Sequence, residues 1–168
     1  GNVSRSTACP LDPAFLDYVA RIYGLAAQCD ADAVWVDDDV RFLWHDLSGM
    51  TCFCPQHLAA MSARTERTWT RTSLVAALAD DATDHAIRRA WFDLQAAAMT
   101  ALASHIEHAV HSVAPDQAIG LMSVGTAIHH AEGRRTDQLL RTLAGDDGRP
   151  MLRPGSGFWH DGEPGGVL

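Results

Sequence analysis

The chain has 168 residues, enough to bury a core without cross-links and too few for two full domains. Hydrophobic residues make up 47% and charged residues 20%, which excludes a disordered or collagen-like chain. Thirteen basic residues, all arginine, stand against 21 acidic ones, a formal charge of −8 that disfavours binding to a phosphate backbone. No stretch is long and apolar enough to span a bilayer. The expectation is therefore a single unit over residues 1–145, cytoplasmic, with no nucleic-acid or membrane partner.

Residues 1–10 are polar and read as loose. Asp12-Pro13 then opens a helix, with Asp as the cap and Pro in the first turn. Phe15, Val19, Ile22 and Ala26 follow at helical spacing, and the helix should end near Gln28. The period changes next. Ala33–Val36 and Val40–Trp44 are rich in β-formers, and Asp37-Asp38-Asp39 between them reads as a turn. Ser48-Gly49 marks another turn before Thr51–Cys54. The pattern predicts a three-stranded antiparallel meander over residues 33–54.

Beyond Pro55 the pattern is helical. Helices are expected over 56–68, 72–79 and from Asp80-Asp81 to about Val113. Ile87, Trp91, Leu94, Ala98, Leu102, Ala109 and Val113 share one face of the long one. Ala114-Pro115 breaks the chain, and a further helix is expected to Glu132, ended by Gly133. Small residues (Ala97, Ala98, Ala101, Gly120, Gly125) would let these two helices pack closely or leave a ligand slot between them. A last helix should cover 135–144 and stop at Gly145. Residues 146–168 are rich in Gly and Pro and read as an irregular tail. Phe158 and Trp159 within it should dock on the body or on a partner. The fold class so predicted is mainly α: a helical bundle, a small antiparallel meander near the N-terminus and an irregular C-terminal tail.

Chemistry concentrates between His45 and His57. His45, Cys52, Cys54 and His57 are soft or borderline ligands, and zinc takes four such groups in a tetrahedron. Cys52 and Cys54 would share a strand face, and His57 lies one helical turn beyond Cys54. The spacing differs from that of a standard finger. The same atoms allow a second reading. Cys54 occupies the N-cap with His57 at N3, so an imidazole could activate a catalytic thiolate stabilised by the helix dipole. Elsewhere, His105 and His129 are candidate cofactor-binding residues on the expected helices, each alone more typical of a hydrogen-bonded core histidine. There is no phosphate loop, dinucleotide fingerprint or nucleophile elbow.

Three functions stay open on this basis. One is a small ligand- or transition-metal-binding protein with its site at the junction of meander and helix. Another is a regulatory or scaffold subunit acting through protein contacts, including a homodimer. A third is a small enzyme with a Cys54 nucleophile or redox centre activated by His57.

Overall fold

The computed structural model describes residues 7–38, 40–42, 52–80, 85–123, 133–146 and 148–154. In chain order its elements are α1 (Pro13–Ala27), β1 (Ala33–Val36), α2 (Pro55–Thr65), α3 (Arg71–Ala79), α4 (His85–His111), β2 (Ala118–Ser123), α5 (Thr136–Ala144) and β3 (Met151–Pro154).

The helices follow their sequence signals. The Asp12 carboxylate accepts from the amides of Ala14 and Phe15, and Pro13 fills the first turn. Thr70 and Ser73 form a reciprocal capping box at the start of α3. Gly145 ends α5 at a φ of 67°. Gly133 has a φ of 83°, and a Cβ there would lie 2.8 Å from the Phe92 carbonyl, so its backbone packs directly on α4.

The strands do not form the expected antiparallel meander. Among the described residues the sheet has three strands in the order β1-β2-β3, all parallel. The architecture is mixed α/β rather than a mainly α bundle carrying a meander. Val34 pairs with Ile119, Val36 with Leu121, and Leu121 with Leu152. Parallel neighbours cannot be joined by a hairpin, so the chain crosses over between them, through α2–α4 and then through α5.

The error has a clear origin. Ala118–Met122 is a continuous apolar run, which suits a buried parallel strand as well as a helix turn. Its composition alone favours the helix expected there, and leaves the β-rich segment after Asp39 as the apparent partner of Ala33–Val36. Val40–Phe42 is in fact a bend: the Val40 amide donates to the Asp37 carbonyl at 3.2 Å, and Arg41 pairs with Asp38 at 2.9 Å. Cys52 and Phe53 are also outside any strand. The rest of the expected second and third strands, residues 43–51, lies outside the described residues. So do Gly125, His129 and the Phe158-Trp159 pair. Within the segment read as an irregular tail, Met151–Pro154 is the edge strand β3, with Pro154 at its end, where no ladder donor is needed.

Gly120 is explained by its strand partner. Trp35 lies opposite it in the register, and any Cβ on Gly120 would collide with the Trp35 ring. A close backbone approach therefore accounts for the glycine, but between strands rather than between helices.

Two apolar clusters share α4, which at 27 residues is about 40 Å long. The larger joins α1, β1, β2 and α5 to the C-terminal part of α4, with Val36, Leu121, Ile106, Val110 and Leu143 almost fully buried. The smaller gathers Met61, Trp69 and Leu74 around Trp91 and Leu94 near the start of α4. On α1, Val19 faces the larger cluster as expected, but Ile22 is 45% exposed.

Candidate metal centre

Where the two clusters meet, four ligand-type side chains converge. Cys9, Cys52, Cys54 and His57 each offer one ligand atom, and all four atoms lie within 4.8 Å of one another. The cluster could hold a metal ion. Sγ of Cys9 lies 3.4 Å from Sγ of Cys54 and 3.3 Å from Nδ1 of His57. Sγ of Cys54 lies 3.5 Å from the same nitrogen. Tetrahedral zinc with ordinary Zn–S and Zn–N bonds has edges of about 3.8 Å between sulfurs and about 3.6 Å between sulfur and nitrogen. The three separations among Cys9, Cys54 and His57 are each within about 0.5 Å of such an edge.

Local structure positions each donor. Cys9 lies three residues before Asp12, the N-cap of α1. Its carbonyl accepts from the Asp12 amide at 3.0 Å, and its sulfur receives the Leu11 amide at 3.4 Å. Cys54 is the N-cap of α2, followed by Pro55, yet its side chain makes no capping bond. The sulfur turns toward the cluster instead. Between the two downstream cysteines, Phe53 stacks on Trp91 with ring centroids 4.9 Å apart and planes 7° from parallel. The Phe53 carbonyl also accepts from the exposed Arg71 guanidinium at 3.2 Å. Phe53 therefore anchors the segment to α3 and α4 with one sulfur on either side of it.

His57 is fully buried. Its ring meets Phe42 edge-on at 5.7 Å and Trp91 at 6.1 Å, so it touches both apolar clusters. Nδ1 faces the sulfurs, while Nε2 has no hydrogen-bond partner among the described residues.

The thiols influence one another. The Cys9 thiol is pushed far up, first by its hydrogen bond to Cys52 and then by burial. Cys52 is lowered to about 4, chiefly because Cys9 donates to its sulfur, with His57 and the Cys54 amide helping against burial. The two shifts belong to the Cys9–Cys52 pair, which shares a hydrogen bond.

Of the ligands expected from sequence, Cys52, Cys54 and His57 come together. His45 lies outside the described residues. Cys9 was missed, because it falls in a segment read as loose and far from the others in sequence. Its signal was available in part: it adjoins a proline and a strongly capped helix start, which fix the backbone there. Cys29, the remaining cysteine, is exposed and outside the cluster. Cys54 and His57 are also within the reach that the catalytic reading requires. His105 is exposed on α4, with Nδ1 3.0 Å from the Ala101 carbonyl, and His129 lies outside the described residues. An open cleft of about 420 Å³ lies elsewhere, lined by Arg64, His85, Arg89 and Asp93, and contains none of the cysteines.

No protein-family model, curated protein or solved structure matches the chain. No helix among the described residues is long and apolar enough to cross a membrane.

Proposed function

We propose that this protein binds one zinc ion through Cys9, Cys52, Cys54 and His57, and that the ion is structural. The supporting observation is the mutual approach of four ligand atoms from segments far apart in sequence, all within 4.8 Å. Three thiolates and an imidazole suit zinc by softness and by tetrahedral preference. Four protein ligands complete the shell and leave no position for substrate, which favours a structural ion over a catalytic one. The same completeness argues against a catalytic Cys54 activated by His57, since the imidazole nitrogen would be taken by the metal and could not serve as a base. The ion would tie the start of α1 to the start of α2, at the boundary between the two apolar clusters.

The test is elemental analysis of untagged protein, with zinc titration of the reduced, metal-free chain. One zinc per chain, lost in Cys9→Ser and in His57→Ala but retained in Cys29→Ser, supports the reading. A reduced chain that folds and takes up no zinc refutes it.

A second reading rests on α1. Tyr18, Ile22 and Leu25 recur at helical spacing and are 60%, 45% and 58% exposed. Such a stripe suits a protein contact, as a scaffold or regulatory subunit or a homodimer would need. Sedimentation of the native chain and of Ile22→Glu tests it, with a mass that drops in the variant as the expected result.

A further inference from the structure

The metal cluster also contains the parts of a reversible redox switch. This inference rests on the zinc reading and concerns how the site is regulated. Sγ of Cys9 and Sγ of Cys54 are 3.4 Å apart although the residues are 45 positions apart in sequence. All three clustered cysteines are only partly buried, so a small oxidant can reach them. Cys52 and Cys54 are separated by one residue, a spacing that does not accommodate a disulfide comfortably. Cys9 is therefore the shared partner for any bridge inside the cluster, and Cys54 is the sulfur already in contact with it.

We infer that a hydroperoxide converts the zinc-holding cluster into a Cys9–Cys54 disulfide and expels the metal. Taking hydrogen peroxide as the oxidant, the Cys54 thiolate attacks one peroxide oxygen. An S–O bond forms, the O–O bond breaks and hydroxide leaves, giving a sulfenic acid. The Cys9 thiolate then attacks that sulfur. The S–S bond forms, the S–O bond breaks and a second hydroxide leaves. In sum, two thiolates and one hydrogen peroxide give one disulfide and two hydroxides. The sulfurs supply two electrons, and the zinc keeps its charge throughout.

The outcome is a switch because of which segments the two bonds connect. The metal joins the start of α1 to the start of α2, and the Cys9–Cys54 bridge joins the same two places. Oxidation therefore preserves the tie between them. It removes two of four ligands, and Cys52 with His57 alone is too few to retain a structural ion. The oxidised protein stays folded, free of metal, with one thiol and one imidazole released. The exposed Cys29 lies outside the cluster and is not part of the exchange.

The experiment uses full-length Cys29→Ser, loaded with one zinc per chain and freed of reductant. Hydrogen peroxide is added in the presence of a zinc-sensitive dye, followed by intact mass and peptide mapping. The expected result is release of the zinc, loss of two hydrogens in mass, a Cys9–Cys54 linked peptide and a retained far-UV circular dichroism spectrum. Dithiothreitol with fresh zinc should then restore the starting state. Zinc that stays bound under peroxide overturns the inference and leaves the zinc reading standing. Release with sulfinic acid and no bridge, with a bridge other than Cys9–Cys54, or with unfolding also overturns it. Failure of the reduced chain to load zinc at the outset refutes the zinc reading itself. Peptide mapping of the unsubstituted chain provides the same readout should Cys29→Ser fail to fold.

Discussion

The two ends of α4 are stabilised differently. Around its C-terminal half, fifteen buried residues among those described, six of them from α4 itself and eight from four further elements, form one apolar cluster, and a parallel sheet runs through it. Near its N-terminal end the cluster that holds α2 and α3 has five among the described residues, Trp91 and Leu94 of α4 included. Apolar burial contributes roughly 25 cal/mol per Å², so the first region has a large reserve and the second a small one. The Cys/His cluster lies beside the second region, where α2 begins. On the zinc reading proposed above, an ion there would support the part of the molecule with the smaller apolar cluster.

The sharpest way to break this comparison is to remove the metal. Structural zinc contributes on the order of 10 kcal/mol of apparent binding free energy. A strong chelator should abolish hydrogen-exchange protection in α2 and α3 while amides of β2 stay protected. Uniform loss throughout the chain would show that the two regions are one cooperative unit.

Paired core truncations come next. Leu74 and Leu121 are both essentially inaccessible, one in each cluster. Leu→Ala at such positions costs about 2–5 kcal/mol. Leu121→Ala should lower the global denaturation midpoint by that amount. Leu74→Ala should instead act locally, weakening zinc retention and the protection of α3, while the sheet unfolds as before. Equal shifts in the global midpoint would erase the distinction.

A smaller effect is expected within the sheet. Gly120→Ala forces a methyl group against the Trp35 ring and should cost about 1–3 kcal/mol. Because Trp35 is 38% exposed, Trp35→Ala should relieve much of that penalty in the double variant. Thermal unfolding of the four proteins measures the coupling, and zinc affinity should be unchanged in all of them.

The smallest effect concerns the cap of α1. Asp12→Ala removes the acceptor for two amides and should cost about 1 kcal/mol. The Asp12 amide that donates to the Cys9 carbonyl is kept in this variant, so zinc binding should weaken only as far as the start of α1 frays, whereas Gly120→Ala should leave it unchanged. Chelator competition on both variants separates the two cases.

The sequence determined the parts of this protein whose cause is local. Asp12-Pro13, the Thr70 cap and Gly145 set helix ends, because a cap or a left-handed residue acts within one turn. Cys52, Cys54 and His57 were legible as ligands because a strand-like step and a helix turn bring close neighbours together whatever the fold. Tertiary structure decided the rest. Ala118–Ser123 became a strand only because β1 and β3 lie on either side of it, and a short apolar run carries no period strong enough to choose between strand and helix. Cys9 joins Cys52, Cys54 and His57 only because the larger cluster seats α1 on α4 and thereby brings the start of α1 to the start of α2. Contacts between residues so far apart in sequence depend on the whole packed core, and no spacing along the chain encodes them.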